Sequence, residues 1–202
     1  MLNKHTPLLL VVSAPSGAGK SSLCTRLAEF FPELVYSVSC TTRAPRGTEK
    51  NGVHYFFLSP DEFEIRLKND EFLEHALVHG NRYGTLKQTV YDALAQGRDI
   101  IMDIDVQGAQ QIRDACAALP NDDLIKKSFV DIFIIPPSME ELLRRLRGRS
   151  TDAKDVIEQR MCNAVEEMKQ QSHYQYIVVN DKIETAADEL KKIIQTEHKK
   201  RQ

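Results

Sequence analysis

The stretch Ser13-Ala14-Pro15-Ser16-Gly17-Ala18-Gly19-Lys20-Ser21-Ser22 concentrates more chemistry than any other in the chain. Its small residues and two glycines let successive backbone N–H groups turn inward, and a Lys-Ser pair follows at the spacing that serves a polyphosphate. Lys20 reaches the β- and γ-phosphates, and the Ser21 hydroxyl is a hard oxygen donor for Mg2+. Ala14 stands where this motif usually begins with glycine; it removes no phosphate ligand and only bars a positive φ. Elsewhere Arg43 and Arg46 share one short turn, and Asp103 and Asp105 end an apolar run, spaced to point the same way. Arg144-Arg145-Leu146-Arg147-Gly148-Arg149 is densely cationic. Taken singly, these arginines read as solvated loop charges or a nucleic-acid patch, and Glu74 as a surface carboxylate. A phosphate loop in the same chain gives the arginines a shared purpose, because guanidinium forks grip phosphate oxygens in pairs.

Such side chains need a rigid frame, and the apolar pattern predicts one. Runs at 8–12, 100–104, 130–135 and 176–179 are strand-length, rich in Val, Ile and Leu, and without alternation, as in strands buried on both faces. Helix-period segments at 20–31, 107–119, 153–170 and 185–198 lie between and after them; the third sets Val156, Ile157, Met161, Ala164, Val165 and Met168 on one face. Strand-then-helix alternation predicts an α/β fold with a parallel sheet covered on both sides. Asp103 and Asp105 then sit at the carboxyl end of a strand, where open sheets bind ligands. Capping boxes start helices at Ser59…Glu62 and Ser138…Glu141. Residues 37–58, with Pro45, Gly47, Gly52 and several aromatics, predict short strands and turns in an inserted lobe.

Composition narrows the classes. A chain of 202 residues predicts one compact unit. Lys and Arg number 27 against 29 Asp and Glu, a net charge of −2, so the basic excess of a nucleic-acid binder is missing. Apolar runs such as 8–12 fall far short of the ~20 residues that span a bilayer, and the first residues do not read as a secretory leader. Cys24, Cys40, Cys116 and Cys162 form no CxxC pair and read as free thiols in a reducing cytoplasm. Asp105-Val106-Gln107-Gly108 fits a loose GTPase pattern, but no Asn-Lys-x-Asp guanine clamp follows it.

With Ser37–Glu49, Asn51–Phe57, Glu71-Phe72-Leu73-Glu74-His75-Ala76, Gly80-Asn81-Arg82-Tyr83-Gly84-Thr85 and Val179-Asn180-Asp181 added in order, the sequence closely resembles guanylate kinase over almost its whole length. The resemblance implies a P-loop NTPase-type parallel sheet flanked by helices. Its core would be residues 1–36, 95–137 and 162–202, with a GMP-binding lobe at 37–94 and an arginine-rich lid at 138–161. It implies Mg2+-dependent transfer of the ATP γ-phosphoryl group to GMP, giving GDP and ADP, in cytoplasmic purine nucleotide metabolism. The implied partners are ATP and GMP, with deoxy-GMP as a further acceptor; a homo-oligomer is left open, and neither nucleic acid nor membrane is expected.

Residue by residue, the resemblance assigns ATP binding to the loop from Ala14 to Ser22 and, at the adenine end, to Asn180. Arg43, Arg46, Tyr55 and Tyr83 would clamp the GMP phosphate, with Glu49 also in the GMP site. Ser39, Glu74 and Thr85 would meet guanine, whose adjacent N1–H and 2-amino donors one carboxylate accepts together; adenine offers neither, and such sites discriminate by ~10⁴–10⁵. Asp103 would contact the acceptor, Ser21 the metal directly, and Asp103 and Asp105 the metal through water. Lys20, Arg145, Arg149 and Arg160 would be catalytic. Two other readings are a peptide-binding module of this fold, against which the intact Lys20-Ser21 loop and arginine set argue, and a kinase for another nucleotide, against which Ser39 and Glu74 argue. The connection through 119–128 is longer than usual in the family.

Overall fold

The computed structural model describes residues 6–78, 80–148 and 154–201. Along the chain run β1 (Leu9–Ser13), α1 (Lys20–Phe30), β2 (Val35–Tyr36), β3 (Cys40–Thr41), β4 (Phe56–Phe57), α2 (Pro60–Lys68), β5 (Phe72–Val78), β6 (Asn81–Leu86) and α3 (Lys87–Ala95). Then come β7 (Ile100–Asp103), α4 (Val106–Ala118), α5 (Leu124–Ser128), β8 (Phe129–Ile135), α6 (Met139–Arg147), α7 (Lys154–Met168), β9 (Tyr176–Val179) and α8 (Ile183–Lys200). The main sheet has the order β2-β7-β1-β8-β9, and all of its pairings are parallel. The phosphate loop therefore leaves the middle strand, with β7 and the acidic residues beside it.

The apolar runs form strands because successive side chains leave to opposite faces, and both faces are covered in β1, β7 and β8; the run at 176–179, expected to be buried on both faces, forms the edge strand β9 and leaves Ile177 and Val179 exposed. Leu10 and Val12 of β1 join Leu23 and Leu27 of α1 and Leu190 and Ile194 of α8. Leu9 and Val11 join Val90 and Leu94 of α3 and Ala109 and Ile112 of α4. All of β1 is buried, and each such Leu or Val contributes roughly 1.5–3 kcal/mol. This central layer fixes where α1 and α4 begin.

A second sheet, ordered β4-β3-β6-β5, lies in the inserted segment over a small core of Cys40, Phe63 and Phe72. Phe63 and Phe72 stack with centroids 4.3 Å apart. The capping box at α2 is complete: Ser59 Oγ accepts from Glu62 N–H, and the Glu62 carboxylate accepts from Ser59 N–H. At α6 only half of the expected box forms. Ser138 Oγ accepts from Glu141 N–H, but Arg144 and Arg145 bind the Glu141 carboxylate.

Periodicity did not predict the β5–β6 hairpin, α3 or α5. Val90, Ala93 and Leu94 bury α3 against the main sheet rather than in the lobe. The long connection at 119–128 is ordered by Asp123, which caps α5 through Ile125 N–H (2.8 Å) and accepts from the Tyr91 hydroxyl (2.8 Å). On α7, Ala164 is buried with Leu142 and Leu146, whereas Val165, expected on the same face, is exposed. All four cysteines are free, and only Cys162 is exposed. Among the described residues no helix is long and apolar enough to cross a membrane.

Candidate active site

The phosphate loop is built on two left-handed glycines, Gly17 (φ 91°) and Gly19 (φ 92°). Gly19 is the N-cap of α1, whose first turn holds no acidic residue, so its positive end stays available to an anion. Among described non-glycine residues only Asp70 has a positive φ, so Ala14 sits in the loop without that strain. The loop is also held from outside. Asn180 N–H donates to the Ile135 carbonyl (2.8 Å), and its side-chain amide donates to the Ala18 carbonyl (2.7 Å). A Cβ on Gly19 would lie 2.4 Å from Asn180 Nδ2, and one on Gly17 would lie 2.9 Å from Leu146 of α6.

Gly19→Ala is therefore expected to cost at least about 1–2 kcal/mol for the left-handed backbone alone. It should also raise the KM for ATP, because Asn180 must give way. Thermal denaturation and steady-state kinetics check this together; an alanine variant with unchanged Tm and KM would contradict it.

Asp103 gathers the reactive end of the loop. Its carboxylate pairs with Lys20 Nζ (2.8 Å) and accepts from Ser21 Oγ (3.0 Å) and the Tyr36 hydroxyl (3.0 Å). Lys20 Nζ also donates to the Ile104 carbonyl. Burial, reinforced by the Asp103 charge, raises the Tyr36 phenol, which stays protonated as a donor. The two aspartates do not point the same way. β7 ends at Asp103, the alternation is lost, and Asp105 turns to cap α4, accepting from Gly108 N–H (2.8 Å). Glu167 of α7 accepts from Ser16 N–H of the loop (3.1 Å), and burial pushes its carboxyl upward. Neither Tyr36 nor Glu167 was marked by a motif. Tyr36 ends the two-residue strand β2, and Glu167 lies in an ordinary helical segment.

Facing this end is the second sheet. Glu74 of β5 is only 5% exposed and pairs in register with Thr85 of β6. Ser39 Oγ lies 3.3 Å from Thr85 Oγ1. Burial raises the Glu74 carboxyl above the ordinary range; hydrogen bonds from Thr85 and the Lys20 charge oppose this, and the Asp105 charge adds to it. Near the turn, Arg43 makes a forked pair with Glu49 (2.9 and 3.0 Å), and Arg46 N–H donates to the same carboxylate (2.7 Å). The Arg43 fork holds Glu49 down at about 2. Arg43 also lies over the Tyr55 ring (5.3 Å), and Tyr55 meets Tyr83 edge-on at 6.0 Å. Ser39, Arg43, Tyr55, Glu74, Tyr83 and Thr85 thus come together, while the Arg46 side chain is exposed.

On the lid side, Arg145 leans onto the core. It donates to the carbonyls of Asn180 (2.9 Å), Asp181 (3.4 Å) and Ala18 (3.5 Å) and pairs with Glu141 (2.7 Å). Arg144 is exposed and forked onto Glu141, and Arg147 is exposed. Arg160 is half-buried on α7; Arg149 lies outside the described residues.

Residues 6–197 match the guanylate kinase family model. The guanylate kinase of Geobacter sulfurreducens is 47% identical over 191 residues, covering 95% of this chain and 89% of that one. The guanylate kinase of Salmonella typhimurium is 49% identical over 191 residues, covering 94% and 87%. The crystal structure of guanylate kinase from Anaplasma phagocytophilum superposes with a TM-score of 0.73 at 34% identity, covering 96% of this chain and 88% of that one.

Proposed function

The chain belongs to the guanylate kinase family, and we propose from that premise how its residues divide the work. The reaction is transfer of the ATP γ-phosphoryl group to GMP, giving ADP and GDP. The bond from the γ-phosphorus to the β–γ bridging oxygen breaks, and a bond to a GMP phosphate oxygen forms. The acceptor is already an anion, so positioning and charge neutralisation suffice without a dedicated base. The observation that carries the residue assignments is a pairing of opposite chemistries. Lys20 and a phosphate-shaped loop sit at the end of β1, and a buried carboxylate, Glu74, lies close enough on the facing sheet to feel the Lys20 charge.

In this reading the loop from Ala14 to Ser22 cradles the ATP phosphates and Lys20 meets the transferring group. Asn180 acts at the ATP site by holding the loop through Ala18, in addition to any adenine contact. Arg43, Arg46, Tyr55 and Tyr83 take the GMP phosphate. Glu49, itself an anion, serves by aiming Arg43. Ser39, Glu74 and Thr85 take guanine. Deoxy-GMP keeps the base and phosphate that these residues address, and is read as an acceptor too. Segment 37–86, without α3, which packs on the main sheet, is the acceptor lobe, and segment 138–161 is the lid; the two close to exclude competing water. The free and mostly buried thiols fit a cytoplasmic setting.

Mg2+ fits the donor set. Ser21 Oγ and Asp103 Oδ2 are adjacent hard oxygens at 3.0 Å. No cluster of three His, Cys, Asp or Glu exists among the described residues, as suits an ion that keeps waters and phosphate oxygens in its shell. Ser21 would hold it directly, with Asp103 and, less directly, Asp105 reached through water. Held by these oxygens, the ion would supply positive charge against the ATP phosphates.

A coupled ADP-release assay across AMP, GMP, CMP and UMP tests the acceptor reading. GMP should give by far the highest kcat/KM, and equal turnover of AMP would overturn it. The lid makes a separate prediction. Arg149→Ala should lower kcat by about 10-fold while changing either KM less, because Arg145, Arg149 and Arg160 share the transition-state charge. Arg144→Ala and Arg147→Ala should stay within about two-fold, because both side chains are exposed and Arg144 makes only a surface ion pair with Glu141. Equal losses across Arg144, Arg145, Arg147 and Arg149, erased by raising ATP, would indicate a generic cationic patch instead.

A further inference from the structure

We propose that Gln111 of α4 is a positioning residue for acceptor recognition: its side-chain amide closes the open edge of β5 at His75 and thereby holds Glu74 in place against α4. The inference rests on the reading of Glu74 as the group that recognises guanine.

β5 is an edge strand of the second sheet. An edge strand leaves backbone N–H and C=O groups without a strand partner. At His75 one side chain supplies both missing bonds. Gln111 Oε1 accepts from His75 N–H (3.0 Å), and Gln111 Nε2 donates to the His75 carbonyl (2.8 Å). A primary amide has the same donor–acceptor pair as a peptide unit, so it stands in for a neighbouring strand at this one residue. The reciprocal pair also fixes which way the amide faces.

The location gives the contact its consequence. His75 follows Glu74 directly, and the β5–β6 register is irregular between Phe72 and Glu74. A bulge loosens the ladder where the carboxylate has to be placed accurately. Gln111 ties the strand down just beyond it. One turn earlier on the same helix face, Gly108 leaves room for the carboxylate: a Cβ there would lie 2.9 Å from Glu74 Oε2. α4 itself is set into the main sheet by Ala109 and Ile112, and its first turn is capped by Asp105. The amide therefore transfers the frame of the phosphate-binding sheet to the strand that carries Glu74. Two adjacent guanine donors need both carboxylate oxygens in position, and small misplacements are costly in such sites.

The test uses Gln111→Met, which keeps length and apolar volume but makes neither bond, and Gln111→Glu, which keeps the acceptor and replaces the donor with a repulsive oxygen. KM for GMP, KM for ATP, the GMP-over-AMP ratio of kcat/KM, and Tm are measured for both. The expected result is a rise of about 10-fold in KM for GMP and a reduced GMP-over-AMP ratio, with KM for ATP within about two-fold. Combining Gln111→Met with Glu74→Gln should add little to the effect of Glu74→Gln alone, because Gln111 acts through Glu74. A purely structural role would lower Tm and the active fraction while leaving KM for GMP unchanged. That outcome in either folded variant, or full multiplication of effects in the double variant, overturns the proposal. If Glu74→Gln alone spares GMP, the reading of Glu74 fails instead.

Discussion

Lys20→Ala should lower kcat by at least about 10³-fold while the circular dichroism spectrum stays unchanged. Lys20 supplies a full positive charge at the phosphate loop, and its amine is already pinned by Asp103 and the Ile104 carbonyl. Removing it does two things. It takes away the attraction to the transferring phosphoryl group, and it leaves Asp103 facing a polyphosphate without its cation. The fold should survive, because Asp103 keeps the hydroxyls of Ser21 and Tyr36 and the core strands do not depend on Lys20. The double variant Lys20→Ala/Asp103→Asn separates the two effects. It should regain part of the ATP affinity, since the repulsion is gone, but not the rate. Steady-state kinetics with ATP-binding calorimetry decides the matter, and a kcat within 10-fold of the parent would remove Lys20 from the catalytic group.

Glu74→Gln should raise the KM for GMP by about 10- to 150-fold, the equivalent of ~1.5–3 kcal/mol for a charged hydrogen bond. An amide accepts one guanine donor and presents an NH₂ to the other. ATP affinity should barely change, since the ATP phosphates belong to the loop after β1. The same variant should gain stability. Burial raises the Glu74 carboxyl in the folded chain, so folding favours its protonated form. Its contribution is complete below the unfolded carboxylate range and is lost as pH rises through the raised folded value. Near neutral pH the ionised side chain is a burden that glutamine lacks, and the Tm of Glu74→Gln should exceed the parent's there. The gap should close as the solution becomes acid enough to protonate Glu74 in both states. A Tm difference independent of pH would show that the ionised carboxylate carries no such penalty, and equal weakening of GMP and ATP would show that Glu74 does not recognise the base.

How much of this was legible in the residues themselves follows from how local each feature is. The phosphate loop works through consecutive backbone N–H groups and a lysine one step beyond, so its place between β1 and α1 follows from ten adjacent residues. The parallel sheet was legible for a related reason. Strands covered on both faces cannot alternate, and 8–12, 100–104 and 130–135 announce this by apolar runs broken only by Asp103 and Asp131; 176–179 is as apolar, although as an edge strand it leaves Ile177 and Val179 exposed. β5 and β6 gave no such signal, because an edge hairpin with a polar pocket on one face mixes Glu74, His75, Arg82 and Tyr83 with its apolar residues. Glu74 in isolation reads as a surface side chain, and only the likeness to a known family singled it out. What makes it a buried carboxylate is long-range: Thr85 across the hairpin, Gly108 and Gln111 on a helix from the other sheet, and the Asp105 and Lys20 charges nearby. The different tasks of Asp103 and Asp105 were likewise settled by where β7 stops, which depends on pairing with β1 rather than on either aspartate. Sequence alone determined the phosphate chemistry and the layered frame, because both arise from neighbours along the chain. Tertiary structure decided how the acceptor pocket is enclosed, because burial, desolvation and the closing of a strand edge are made by residues that meet only when the two sheets are brought together.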